Sequence, residues 1–289
     1  MDISKIEKEN SELRIVNLQV WKDDCMVFRR DWDEEIRRNQ YSASKSFTSI
    51  AVGIAQKEGL LSLDERICEA FSEDIPENPD ENLQKATVRD LLTMALGQGK
   101  QYLMGGQRPL LEEKDWVKYV LKQPFTDEPG AKFLYNNAGP YLAGILVQRR
   151  SGCDLVEYLM PRLFQPLGIR RMVWETDPLG NTFGAGGLFL TVTEMAKTGL
   201  LLLHKGEWRG KRILEEEYVD EMSSVHIDNW KMGYGYLFWK TPYNGYQASG
   251  KYGQLFIVLP EKNAVVAINA ESRNDDLADI CLDVIVPQL

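Results

Sequence analysis

YSASKSFTSIAVGIAQKEG, residues 41–59, places Ser42, Ser44, Lys45, Ser46 and Thr48 in the first two turns of a helix and follows them with an apolar stripe of Phe47, Ile50, Ala51 and Ile54. Serine is a mediocre helix former but a good N-cap, so capping accounts for one hydroxyl. It does not account for the lysine. Residues three apart on a helix share a face, which brings Lys45 within reach of Ser42. A neutral amine there can take the serine proton and make the hydroxyl a nucleophile. The positive end of the helix helps to lower the lysine pKa and to hold an oxyanion. Ser42-Ala43-Ser44-Lys45 is equally compatible with a capped helix carrying a surface lysine, so the surrounding chain has to decide.

Upstream, LRIVNLQVWKDDCMVFRR (13–30) alternates apolar and polar residues on both sides of a polar turn at Lys22–Asp24, the pattern of a two-strand hairpin. Downstream, from about 66 to 184, strand signals are scarce. Residues 87–97, 110–123, 138–152 and 154–164 read as helices punctuated by Gly and Pro. Residues 184–206 read as a glycine-rich approach to a helix capped by Thr193. Residues 234–240, 245–253, 254–260 and 264–270 are aromatic and β-branched and read as consecutive antiparallel strands. NDDLADICLDVIVPQ closes the chain as an amphipathic helix. The expectation is an α/β (α+β) fold with one antiparallel, five-stranded-type sheet flanked by helices. Segments 1–65 and 185–289 would form the sheet domain, 66–184 a helical insertion domain, and the site would lie in the cleft between them.

Composition narrows the function classes. The 289 residues carry a net charge of −9, which argues against a nucleic-acid partner. Cys25, Cys68, Cys153 and Cys281 are far apart, as are His204 and His226, so no metal-ligand spacing exists and no cofactor is implied. Free thiols fit a reducing compartment. MDISKIEKENSELR has no apolar h-region and no stretch reaches the roughly 20 apolar residues of a membrane span. The expectation is a soluble cytoplasmic protein without a membrane partner, although a chain trimmed of a leader would read the same. Oligomeric state is not legible.

Two further segments can carry chemistry. Tyr135-Asn136-Asn137 lies on a tight loop before the 138–152 helix. A tyrosine there can serve as a second acid or base, and Asn137 can bind a substrate amide and hold a lysine amine. A loop tyrosine followed by a capping asparagine is the other reading. In ASGKYGQLFIVLP (248–260), Gly250 and Gly253 within a strand pattern mark a bulge or the close approach of another backbone. Such a strand can offer an N–H to an oxyanion beside the N–H of Ser42. A hairpin with glycine turns would look alike.

Ser-x-x-Lys, then Tyr-x-Asn about ninety residues later, then a small-residue-Gly strand near the C-terminus resembles the serine β-lactamase and penicillin-binding superfamily. More narrowly it resembles the class C β-lactamase-type family, which includes carboxypeptidases, esterases and 6-aminohexanoate-dimer hydrolases. VRDLLTMALG, PGAKFLYNNAGPYLAGILVQRRSG and GAGGLFLTVTEMAKTGLLLLHKGEWRGKRIL are similar to further family segments, in order along nearly the whole chain. The resemblance implies a β-lactamase/transpeptidase-like fold and a serine hydrolase that forms an acyl-enzyme on a small-molecule ester, amide or β-lactam. A penicillin-binding or sensor-type protein that does not turn over is the alternative. Ser42 would be the nucleophile, Lys45 its proton partner and Tyr135 the general acid or base. Asn137 would contact the substrate amide and Lys45, and the N–H groups of Ser42 and Lys251, beyond Gly250, would form the oxyanion hole. Where many members carry Lys-Thr-Gly or His-x-Gly, this chain has Ala248-Ser249-Gly250. Lys251, three residues on, would face the other side of a strand. Loss of that cation disfavours carboxylate-bearing substrates such as penicillins over neutral esters and small amides.

Overall fold

A computed structural model describes all 289 residues. The amino-terminal hairpin forms as β1 (Ile15–Lys22) and β2 (Cys25–Asp31), turning at Asp23 and Asp24, both at positive φ. The carboxy-terminal strands are β3 (Trp239–Thr241), β4 (Gly245–Gly250), β5 (Gln254–Leu259) and β6 (Ala264–Ala270). Together they make one antiparallel sheet in the order β2-β1-β6-β5-β4-β3. The sheet has six strands, and the edge strand β3, three residues long, is what forms of the strand expected at 234–240.

Period-two alternation gives this sheet two buried faces. On one face Leu18, Val20, Leu255, Ile257, Val266 and Ile268 pack under two helices, α1 (Ser4–Leu13) and α6 (Leu277–Ile285). α1 was not anticipated. Its stretch is mostly charged, and only Ile6 and Leu13, seven residues apart, form its buried stripe. On the other face Ala248, Phe256, Val258 and Ala267 join a 65-residue core with α2 (Ser44–Lys57) and α5 (Val192–Leu203). Between the two sets of strands lie further helices, among them α3 (Val88–Leu92), Trp116–Leu121 and α4 (Ala138–Ser151).

Three other readings need correction. Residues 234–238 are not strand. Leu237 sits at φ 60°, its N–H donates to Leu92 O at 2.9 Å, and its carbonyl accepts from Ser46 Oγ at 2.8 Å. The aromatic run packs into the helical core instead of extending the sheet. Thr191, not Thr193, caps α5. Its hydroxyl accepts from the Glu194 N–H at 3.2 Å while the Glu194 carboxylate accepts from the Thr191 N–H at 2.9 Å, a complete capping box. The helices read at 87–97 and 110–123 shrink to Val88–Leu92 and Trp116–Leu121. No helix is long and apolar enough to cross a membrane.

Gly139 lets α4 lie directly on α3, because a Cβ there would stand 2.6 Å from the Leu91 carbonyl oxygen. Backbone cannot move aside as a flexible side chain can. Gly139→Ala is expected to lower unfolding free energy by about 1–3 kcal/mol. Gly105→Ala, which meets open space, is expected to be neutral or stabilising by less than about 1 kcal/mol. Denaturant titration of the two variants checks the contrast.

Candidate active site

The serine-rich start of α2 is explained by burial. Residues 44–55 of this helix are all buried, so each hydroxyl needs a partner inside the protein. Ser44 Oγ accepts from the Leu188 N–H at 3.0 Å, and Thr48 Oγ1 donates to Gly184 O at 2.8 Å. With Ser46 on Leu237 O, these bonds tie segments 184–188 and 237 to the helix. None of the serines caps α2.

Ser42 lies just ahead of α2, in the single 3₁₀ turn Tyr41–Ala43. Tyr41 enters that turn at φ 45°, a left-handed conformation that costs a non-glycine residue about 1–3 kcal/mol. Its N–H donates to Asn39 Oδ1 at 2.7 Å and its ring meets Tyr252 edge-on at 5.3 Å. β4 ends against this turn. A Cβ on Gly250 would lie 2.1 Å from Gln40 O and 3.1 Å from Ala43 N, so only glycine permits the approach. Lys251 follows immediately, and its N–H makes no hydrogen bond within the chain.

Lys45 is 1% exposed. Its Nζ lies 3.0 Å from Ser42 Oγ and donates to Ala185 O at 2.7 Å. Burial, and secondarily the positive charge of Arg108, lowers its pKa from 10.5 to about 7. Near neutral pH a large share of the amine is uncharged. It can then accept the serine proton while still donating to Ala185. Tyr135 lines the same cleft as Ser42 and stands with its ring centroid 5.1 Å from Lys45 Nζ. Burial pushes its pKa up to about 12, and the nearby Ser42 hydroxyl pulls the other way. The phenol is thus protonated at neutral pH and suited to donating a proton. Trp239 stacks on it at 5.7 Å.

A cleft of about 630 Å³ opens on Ser42 and Tyr135 and runs along β4. Its walls include Trp239, Gln247, Ser249, Gly250, Tyr252 and Leu255, with Lys231, Lys251 and Arg273 among the cations. The structure thus gathers Ser42, Lys45, Tyr135, Gly250 and Lys251 in one place. Asn137 stands apart. It does not line the cleft, its Nδ2 donates to Leu103 O at 2.8 Å, and it is not a partner of Lys45. Leu103 takes its Nδ2, while its Oδ1 is buried without a partner. Lys251 does not face the other side of a strand. It lies in the turn after β4 and borders the cleft, with Nζ 4.7 Å from the Tyr252 ring centroid. Among the aromatic residues nearby, Trp239 and Tyr252 line the cleft, Tyr41 backs Tyr252, and Tyr243 is exposed in the β3–β4 turn. Arg108 could not be singled out from the sequence, since its loop has no periodic pattern to mark it. No cluster of His, Cys, Asp or Glu is arranged to hold a metal ion.

A family model described as Beta-lactamase matches residues 16–282. The chain belongs to the beta-lactamase family. Lovastatin esterase from Penicillium rubens is 29% identical to this beta-lactamase-family chain over 242 residues, covering 64% of it and 59% of the esterase. Monacolin J acid methylbutanoyltransferase from Aspergillus terreus is 31% identical over 157 residues, covering 46% and 37%. The chain therefore spans between about two-fifths and three-fifths of the length of these relatives. Among solved structures, a putative 6-aminohexanoate-dimer hydrolase from Bacillus anthracis superposes with a TM-score of 0.83 at 18% identity, covering 100% of this chain and 81% of that one. The octameric penicillin-binding protein homologue from Pyrococcus abyssi gives 0.79 at 22% identity, covering 99% and 78%. These likenesses establish the fold as β-lactamase/transpeptidase-like.

The lysine pKa has a consequence for stability. In the unfolded chain Lys45 titrates at its ordinary value near 10.5, and in the fold near 7. Between these values the unfolded chain binds more protons, so folding gains stability as pH rises through that window. The cost of burying Lys45 is complete below pH 7. Lys45→Met removes this titration. Its stability relative to wild type is expected to be constant below pH 7 and to fall as pH rises from 7 to 10.5. Denaturant titrations across that window check it, and a flat difference throughout would show that Lys45 is not held near neutrality.

Proposed function

We propose that this chain is a serine hydrolase that works through an acyl-enzyme, with neutral esters and small amides as its preferred substrates. The observation that carries the reading is the buried Lys45 amine, held near pKa 7 and 3.0 Å from the Ser42 hydroxyl. Ser42 Oγ attacks the substrate carbonyl carbon as its proton passes to Lys45 Nζ. The oxyanion faces the N–H groups of Ser42 and Lys251. Tyr135 gives its proton to the leaving group and is reprotonated by the Lys45 ammonium. Water, deprotonated by the same pair, then cleaves the acyl-serine ester and restores Ser42. Asn137 is given no step in this scheme, because it does not line the cleft and its Nδ2 donates to Leu103 O.

The esterase and acyltransferase names of the curated relatives support acyl transfer from an ester. The substrate preference rests on Ala248. Its side chain is fully buried on the inner face of β4, where the family pattern would place a cation. No cation stands at position 248 to steady a Tyr135 phenolate, and burial keeps the phenol protonated. A substrate that relies on a carboxylate grip beside Tyr135 is poorly served, and a neutral ester is not.

Ser42→Ala is expected to lose p-nitrophenyl ester turnover by at least about 10³-fold and to lose labelling by a fluorophosphonate. Wild type should turn over that ester faster than nitrocefin. Mass spectrometry that finds no adduct on Ser42 would overturn the reading. An adduct that forms and never hydrolyses would make the protein a sensor or penicillin-binding module instead. The pH dependence gives an independent check. The profile of kcat/KM should rise with an apparent pKa of about 7, because Lys45 must lose its proton. Arg108→Leu removes a positive charge that favours the neutral amine and should move that limb to higher pH.

A further inference from the structure

β4 turns Gln247 and Ser249 toward the cleft and Ala248 toward the core. Gln247 is 8% exposed, and its Oε1 is shielded from solvent without a hydrogen-bond partner. Its Nε2 also bonds to nothing in the chain. Buried polar groups are hydrogen-bonded as a rule, so an unpaired buried carboxamide on a cleft wall requires a reason. Its neighbours supply one. Gln247 pairs across the sheet with Trp239, Trp239 stacks on Tyr135, and Tyr135 and Ser42 line the same cleft. One continuous wall therefore runs from the nucleophile to the carboxamide. At about 3.3 Å per residue, the four residues from Lys251 back to Gln247 span roughly 13 Å. Trp239 and Leu255 give this stretch of wall apolar contacts beside Ser249 and Gly250.

We propose that Gln247 is a specificity-determining residue that reads a second amide on the substrate, on the order of 10 Å from the reacting carbonyl. This rests on the acyl-enzyme reading given above. An amide returns one N–H and one C=O, which satisfy the Oε1 and Nε2 of a carboxamide together. A carboxylate only accepts and leaves Oε1 unmet. Trp239 and Leu255, between the two polar ends, offer apolar contact to an alkyl spacer. The substrate class is thus a linear ester or amide whose chain ends in, or continues through, another amide.

The test uses p-nitrophenyl esters of straight-chain acids in matched lengths, ending in methyl, acetamido, dimethylamide or carboxylate. At one chain length the acetamido ester should exceed the methyl ester in kcat/KM by about tenfold on wild type, the effect of one or two net hydrogen bonds. The dimethylamide, which lacks an N–H, should lose most of that advantage, a comparison that needs no variant. In Gln247→Leu the acetamido-to-methyl ratio should fall to about one. A ratio near one at every length on wild type, or a ratio that Gln247→Leu leaves intact, overturns the proposal. A preference for the carboxylate overturns it too, assigning recognition to Lys231. Hydrolysis of the methyl esters with Ser42 labelled but no amide preference defeats this inference alone. No hydrolysis of any ester and no label on Ser42 defeats the acyl-enzyme reading and this inference with it.

Discussion

An ammonium ion does not belong in a protein interior, and Lys45 is almost wholly inside one. Only two groups meet its amine, the Ser42 hydroxyl and the Ala185 carbonyl, and neither carries a charge. Burial without an anion is what brings its pKa down to about 7, with Arg108 adding to the effect. A carboxylate partner would have stabilised the ammonium and removed the base. Much of the local construction follows from protecting this neutral amine. The hydroxyls of Ser44 and Thr48 pin the 184–188 segment so that Ala185 O stays in place. The left-handed Tyr41 and the missing Cβ of Gly250 allow the nucleophile turn and the end of β4 to touch.

The two sheet faces divide the labour. The outer face, under α1 and α6, is a separate small core that holds the strands in register. The inner face carries α2 and α5 and merges into the large helical core that also seats Tyr135. Residue parity on β4 follows from this. Ala248 is apolar because it faces the inner core, while Gln247 and Ser249 face the cleft. A single-residue slip of that strand would exchange the two sets. The Ala248-Ser249-Gly250 stretch thus puts an apolar residue on the core side and leaves Gln247 and Ser249 on the cleft beside Lys231, Lys251 and Arg273.

Several features were legible before any coordinates because they are local. Ser42 and Lys45 are one helical turn apart, the 22–24 turn interrupts a clean alternation, and Gly250 interrupts a strand. Others failed for equally physical reasons. The stripe of α1 is only two residues wide and emerges as a helix through packing on α6. Residues 234–238 have strand composition, yet Leu237 is claimed by Leu92 and Ser46 and bends away. Asn137 follows the motif, but the neighbouring loop takes its amide. Arg108 and Gln247 matter through residues distant in sequence, and no spacing rule reports such neighbours.

By itself the sequence indicated most of the elements and three side chains suited to proton chemistry, since turns, caps and periodicity act over a few residues. Tertiary structure decided the rest: how deeply Lys45 is buried, where Tyr135 points, and which face of β4 borders the cleft. Those outcomes depend on desolvation and on contacts between segments about ninety to two hundred residues apart. A pKa or an unsatisfied amide exists only once such segments have come together.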